Sequence, residues 1–415
     1  MKNTKVFIVG AGPAGAAASL QLAKMGIACV IADKAVFPRD KVCGDGLSGK
    51  VIAALNRIDP EITARLHASP FTLNSWGVTF ASPGRHSLDV GCYPGYDSTG
   101  DGIREKPMGY VCTRLEFDNF LIEEIKRCPQ IELLQGVCID TYERVEDGYI
   151  VTDDTGIKTK ADILIIANGA HSSFTREIAG ITMEPKHYMA GVRAYYQNVQ
   201  GNHPDNFIEL HFLKHLLPGY FWVFPLPSGR ANVGVGMLSE AIRSKKIHLK
   251  KTLLDIVKND PVFKERFKEA ELIGGIEGYG LPLGSKRRKI SGDRYMLAGD
   301  AAYLIDPFTG EGIGNGIYSG RIAALTAASA LKENNFSAKR MAAYDAEVYR
   351  ILGPELKLSY RIQQLVRFPW LFDKLIKIGS RNKQLRELLS GMFYEVNLRK
   401  KLTKPSFYVR MLLNR

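Results

Sequence analysis

Apolar positions in the first part of the chain fall into short unbroken runs separated by longer segments of mixed character. The opening "VFIVGAGPAGAAASLQLAKMGIACVIADK" holds two such runs. Lys5–Val9 and Ile27–Ala32 read as buried parallel strands, and Pro13–Met25 between them reads as a helix. "GYVCTRLEFDNFLIEEIKRC" changes period at Arg114, from strand to amphipathic helix. "IELLQGVCIDTYERVEDGYIVTDDTG" gives strands divided by turn signals at Asp147-Gly148 and Asp154–Gly156, and "ADILIIANGAHS" gives a buried strand ending in a small-residue turn. From about Pro185 to Leu283 the pattern becomes alternating strands with one helical patch, Leu249–Glu271. "RYMLAGDAAYLIDPFTGEGIGNGIYSGRIAALTAASAL" then restores strand, glycine-rich turn and long helix. The expectation is an α/β fold whose first domain is discontinuous, over residues 1–184 and 284–335. An antiparallel β-rich domain is inserted over 185–283, and 336–415 is helical. The stretch from 51 to 108, rich in Gly, Pro and Ser, is expected to lie in part over a site.

The opening run is not a signal peptide, because Gly10, Gly12, Pro13 and Gly15 break it and a helix and second strand follow. Gly10, Gly12 and Gly15 have the G-x-G-x-x-G spacing at a strand-to-helix joint. That spacing permits a tight turn, close approach of backbone to a pyrophosphate, and close helix–strand packing. The helix N-terminus offers free N–H groups and a positive dipole end. Asp33, followed by Lys34, ends the second strand roughly 20 residues on, where a carboxylate can accept ribose hydroxyls. The competing reading is a glycine-rich packing joint. A second constellation sharpens the choice: Tyr295–Ala298 delivers Asp300 to the sheet edge, and Pro307, Gly310, Glu311, Gly312, Ile313, Gly314 and Gly316 lead into a helix. A sugar-alcohol chain needs an acceptor such as Asp300. A ring that gathers negative charge on reduction gains from a helix N-terminus and nearby N–H groups. A flavin has both parts.

With 45% apolar and 24% charged residues in 415, the composition is that of a globular protein. No run reaches the ~18 apolar residues of a spanning helix, so a soluble or peripheral, cytoplasmic protein is expected. The six cysteines (Cys29, Cys43, Cys92, Cys112, Cys128 and Cys138) form no C-x-x-C pair and no metal-ligand spacing, which points to reduced thiols and no metal site. The net charge of +13 is concentrated at one end: Lys339–Arg415 holds 17 Lys and Arg against six Asp and Glu. The segment is helical in pattern rather than a polar tail, so nucleic acid is not the expected partner. In "RFPWLFDKLIKI", basic residues beside Phe368, Trp370 and Phe372 suit an anionic membrane surface or a lipid head group. A solvated helical face over the main domain is the alternative.

"GAGPAGAAAS", "LAGDAAYLIDPFTGEGIGNGI" and the helix entry at Arg114 resemble the FAD-dependent aromatic hydroxylase superfamily. Within it, "PGYFWVFPLPSGRANVGVG" (Tyr220, Trp222, Phe224, Pro225, Val233, Gly234 and Gly236) and "RDKVCGDGLS" resemble the geranylgeranyl reductase group. The likeness covers roughly residues 1–330. It implies a Rossmann-like FAD-binding domain with the three glycines and Ala14 at the pyrophosphate, Asp33 at the ribose, and Arg114 at the phosphate or ribityl side. It further implies Cys138 backbone at the adenine, Asp300 on the ribityl chain, and Gly310, Gly312 and Ile313 at the flavin's pyrimidine edge. Cys43, Gly44 and Gly46 would approach the flavin ring, with Cys43 a candidate proton donor or simply a small residue in a tight turn. Tyr220, Trp222, Phe224 and Pro307 would wall a substrate pocket, the lesser alternative for Trp222 and Phe224 being core of the inserted domain. "ANGAHSSFTR" departs from the superfamily's Asp-Gly pattern, with Asn168 in place of Asp and Arg176 one position late, which puts direct reduction by NADPH in question.

Three functions follow from the resemblance. The first is a reductase of C=C bonds in an isoprenoid or other long apolar substrate, using FAD and an external donor, NAD(P)H or another reductant. The second is a monooxygenase (hydroxylase or halogenase) on an aromatic or lipid substrate, and the third a non-catalytic electron carrier. Halogenases of this type use a lysine near "SWG" (Ser75–Gly77), and the chain has no lysine between Lys50 and Lys106.

Overall fold

The computed structural model describes residues 1–91, 107 and 109–381; expectations placed on Cys92, Lys106 and the tail beyond 381 lie outside the described residues. Its helices are α1 (Pro13–Lys24), α2 (Gly49–Ile58), α3 (Pro60–His67), α4 (Arg114–Lys126), α5 (Ser173–Glu177), α6 (Ser239–Lys245), α7 (Leu249–Asn259), α8 (Phe263–Arg266), α9 (Ile313–Glu333), α10 (Ala338–Leu365) and α11 (Pro369–Arg381).

The apolar runs seen in the sequence become one sheet. Its parallel core has the order Tyr295–Leu297, Lys158–Ile166, Lys2–Val9, Cys29–Asp33, Ile131–Gln135, with three antiparallel strands added around it. Val6–Val9 and Ile163–Ile166 are buried on both faces, as a central parallel strand requires. α1 is buried along almost its whole length, because the sheet covers one side of it and α9 the other. That second contact is unusually close. A Cβ on Gly320 of α9 would overlap the Ala14 backbone carbonyl, and Gly299 and Gly316 lie against the Ala14 methyl. The small-residue character of "GIGNGIYSG" thus brings the N-termini of α1 and α9 side by side.

A second sheet has seven strands in the order Glu271–Pro282, Tyr188–Gln197, Arg230–Leu238, Tyr220–Pro225, Ile208–His211, Gly77–Ala81, Ser87–Gly91. All neighbours are antiparallel except Ile208–His211 with Gly77–Ala81. Two of its strands therefore come from the early segment read as loop-rich, which also forms α2 and α3. Asp59 accepts from the Glu61 N–H ahead of Pro60 at the first turn of α3, a helix-start signal that "DPE" carries in plain view. The period of two decides the faces of the aromatic strand: Phe221 and Val223 join a core with Leu253, Ile256 and Phe263 of the covering helices, while Tyr220 and Trp222 point the other way.

α11 closes over the end of this sheet, with Phe372 and Ile376 buried against Phe212 and Val90. The Phe372 ring meets Phe212 edge-on at 4.9 Å between centroids. Phe372, expected beside Trp370 on a membrane-facing surface, is thus core, because it falls on the opposite side of the helix. No helix among the described residues is long and apolar enough to cross a membrane.

The α1–α9 contact yields the first prediction. Added volume in a packed interface costs ~1–3 kcal/mol, and here the obstacle is backbone. Gly320→Ala should lower stability by about 3 kcal/mol, read as a drop in the urea midpoint; an unchanged midpoint would mean the helices can part without penalty.

Candidate functional site

The site lies where the two sheets meet, and two helix N-termini form its base. Gly10 adopts φ +99°, a turn closed to side-chain-bearing residues, and donates to the Ala32 carbonyl at 2.7 Å. Gly12 caps α1 without any side-chain acceptor, and the space where its Cβ would stand contains only the Arg39 guanidinium, 3.8 Å away. Gly15 instead packs onto the Gly10 carbonyl. Asp33 receives the Ala11 N–H at 2.7 Å and the Ala35 N–H at 2.9 Å, which fixes its carboxylate at the sheet edge; Lys34 is exposed beside it. Cys138 lies nearby, its carbonyl taken by the Asp154 N–H at 2.9 Å. Ala14 turns toward Gly299 and Gly316 of the other half. Gly312 caps α9, likewise with no side-chain cap, so the N–H groups of Ile313 and Gly314 face the cleft. This pair of uncapped ends has the chemistry to hold a dinucleotide's phosphates and a ring that becomes anionic.

Charged side chains line the space between the two ends. Arg114 is buried and forms a two-pronged ion pair with Asp118 (2.7 Å and 2.7 Å), and Arg39 adds a third bond at 2.5 Å. Burial alone would raise the Asp118 carboxyl, but the two guanidinium groups outweigh it and hold the pKa below the ordinary range. Lys41 pairs with Asp300 at 3.0 Å. Asn168 is exposed at the end of its strand, and Arg176 lies on the surface paired with Glu177 at 2.7 Å.

Above this floor opens a cavity of about 970 Å³, its mouth included. Backbone of Cys43, Gly44 and Gly46 forms one side, Gly310, Gly312 and Ile313 a second, and Tyr220, Trp222 and Phe224 the roof. The cavity thus gathers residues expected at the flavin and at the substrate. Pro307 stands apart: its carbonyl accepts from Gln363 of α10 at 2.6 Å, behind the aromatic wall. The Tyr220 hydroxyl donates to the Thr309 carbonyl at 2.5 Å, tying roof to floor. No lysine lines the cavity among the described residues; Lys50, below it, is committed to Asn315 (2.7 Å) and Glu355 (2.5 Å).

Sequence reasoning missed the groups that hold the Cys43 loop. Asn232, on the second sheet, donates to the Cys43 carbonyl at 2.7 Å and to Asp45 at 2.8 Å, while the Trp222 indole donates to Asn232 at 2.9 Å. The Tyr195 hydroxyl also donates to Asp45, at 2.7 Å. These partners are separated by up to 189 positions, so no local spacing signals them. Asp45 is fully buried, and its burial pushes the pKa up to about 6 against the pull of Tyr195 and Asn232. Burial likewise raises the Cys43 thiol, with Arg114 opposing, so Cys43 keeps its proton.

The residues that fit a dinucleotide match what comparison finds. A family model described as "FAD binding domain" matches residues 3–215. A menaquinone reductase of Mycolicibacterium smegmatis is 30% identical over 340 residues, covering 78% of this chain and 76% of that protein. Digeranylgeranylglycerophospholipid reductase 1 of Methanosphaera stadtmanae is 28% identical over 352 residues, 83% of this chain and 80% of its own. Among solved structures, a geranylgeranyl bacteriochlorophyll reductase-like protein of Thermoplasma acidophilum superposes with TM-score 0.78 at 24% identity, covering 97% of this chain and 99% of that one.

The raised Asp45 pKa has a consequence for stability. The group titrates near 6 in the folded chain against an ordinary 3.8, so its contribution is complete below pH ~4 and is lost as pH rises to ~6, a change on the order of 3 kcal/mol. Asp45→Asn keeps the acceptor for Tyr195 and Asn232 and cannot ionise. Its stability relative to wild type should therefore climb across that window, measured as urea midpoints at pH 4, 5, 6 and 7; parallel curves would show that Asp45 ionises normally.

Proposed function

The chain belongs to the geranylgeranyl reductase family of FAD-dependent oxidoreductases, and on that premise we propose that it reduces C=C bonds in the prenyl chain of a lipid. The carrying observation is the cavity itself: apart from one carboxyl and a few hydroxyl and thiol groups, its lining is aromatic, aliphatic or glycine backbone. Such a lining suits a long apolar chain and offers nothing to a charged substrate. The named substrates of the two curated relatives, menaquinone and a digeranylgeranyl phospholipid, are both lipids bearing prenyl chains. FAD supplies hydride when reduced, and an external reductant, NAD(P)H or another donor, restores it. The protein's part is to hold the phosphates on the ends of α1 and α9, to fix the ring side by the Cys43–Gly46 loop, and to keep water from the reacting carbons with Tyr220, Trp222 and Phe224. Arg176, spent on Glu177, supports a donor that does not bind through the usual motif.

The polar end of the lipid is accounted for by α11. Its inner face is buried, whereas Phe368 and Trp370 are 56% and 67% exposed, and Arg367, Lys374 and Lys377 lie exposed beside them. An aromatic pair flanked by cations is the composition of a helix lying on an anionic bilayer, and it would place the protein where its substrate is dissolved.

The chemistry is tested by anaerobic stopped-flow absorbance. Protein reduced with dithionite should return to the oxidised spectrum on addition of a lipid with geranylgeranyl chains, with the saturated lipid recovered by mass spectrometry. Reoxidation by air alone would favour a monooxygenase. Membrane contact is tested by sedimentation with vesicles of mixed anionic and neutral lipid. The Phe368→Ala, Trp370→Ala double variant should partition roughly tenfold or more less well, since each ring buried is worth ~1.5–3 kcal/mol; equal partition removes α11 as the contact.

A further inference from the structure

Saturating a C=C bond takes a proton as well as a hydride, and the cavity holds few groups able to give one. The Tyr220 hydroxyl is bound to Thr309, and burial raises its pKa further above the ordinary phenol value. The Tyr110 hydroxyl is paired with His67, and its pKa is pushed up to about 12. The Cys43 thiol is also raised by burial. Ser48, Ser75 and Thr309 are aliphatic hydroxyls, weaker acids still. Glu311 is the one carboxyl in the lining among the described residues, and it stands between Gly310 and Gly312, the backbone that meets the ring edge.

Its surroundings favour the protonated form. Asp306 and Glu355 are buried and Glu311 is partly buried, and the three carboxyls surround the buried cation Lys50. Lys50 gives its short bonds to Glu355 and Asn315. Asp306 accepts the Phe308 and Thr309 N–H groups, both at 2.9 Å. Glu311 is left with one hydrogen bond, from the Ser48 hydroxyl at 2.6 Å. The groups that face it are therefore Ser48 ahead of α2, Lys50 in α2, Asp306 in its own loop, and Glu355 in α10. Burial raises its pKa first, with Glu355 and Asp306 adding to the rise, against Lys50 and Ser48.

We propose that Glu311 is the general acid of the reaction. This rests on the reductase reading above. The double bond takes a hydride from the reduced cofactor on one carbon and the carboxyl proton of Glu311 on the other. The π bond, the cofactor's bond to the transferred hydrogen and the Glu311 O–H bond would break, two C–H bonds would form, the cofactor would be left oxidised, and the Glu311 carboxylate would take its next proton from water. The external donor returns the two electrons.

The test uses the holoenzyme. Lipid-dependent anaerobic reoxidation should slow by roughly 100-fold or more in Glu311→Gln, the usual worth of a general acid, with FAD occupancy in the visible spectrum as the folding control. In wild type the rate should fall as pH rises through the Glu311 pKa, since the protonated form is active. Ser48→Ala removes a bond that favours the carboxylate and should move that fall to higher pH. Infrared pH-difference spectra of the resting oxidised protein should show a protonated carboxyl band that Glu311→Gln deletes and Ser48→Ala shifts in the same direction. A Glu311→Gln enzyme reoxidised by lipid within threefold of wild type, or a carboxyl band it leaves untouched, overturns the assignment while the reductase reading stands. Failure of lipid to reoxidise wild type overturns both.

Discussion

The seating of α1 on α9 through Ala14, Gly299, Gly316 and Gly320 is the contact on which the site depends. A side chain at Gly320 would overlap the Ala14 backbone and one at Gly299 would crowd the Ala14 methyl, so both positions hold the two N-termini close. Held together, they put two positive dipole ends side by side with uncapped N–H groups. That arrangement is unfavourable alone and becomes favourable with an anionic ligand between them.

The second sheet does more than cover this cradle. Trp222 and Asn232 sit on neighbouring strands, and through them the aromatic roof is hydrogen-bonded to the Cys43 carbonyl and to Asp45. Buried polar groups in a low-dielectric setting are costly unless paired, and Asn232 and Tyr195 find partners across this joint. Asp45 and Glu311, whose pKa values are raised, both lie at it. Burial at the meeting of two sheets is the common cause, because it disfavours the charged form of both carboxyls.

The basic C-terminal region shows how one helix can serve two surfaces. In α11, Phe372 and Ile376 are four apart and meet Phe212 and Val90, Trp370 falls on another side of the helix, and Phe368 lies just ahead of its first turn. Composition alone made the aromatic residues look equivalent. The helical period assigns Phe372 to the core and turns Trp370 toward solvent, while Phe368 is exposed because the helix begins after it.

Much of the architecture was legible because it is local. Buried parallel strands need continuous apolar runs, and a phosphate-binding joint needs glycines at set intervals; these place Gly10, Gly12, Gly15 and Asp33 without any fold, whereas Arg114 and Gly312 were placed by resemblance to a family. The period of two in "YFWVFP" also determined that Tyr220, Trp222 and Phe224 share a face. What tertiary structure decided is which distant groups meet. The Asn232–Cys43 bond, the Lys50–Glu355 pair, Pro307 turned away toward α10, and the entry of Gly77–Gly91 into the second sheet all join segments far apart in the chain. The physical reason is that backbone conformation and periodicity are set by neighbours a few residues away. Burial, pairing and pKa are set by whatever else the folded chain brings within a few ångströms.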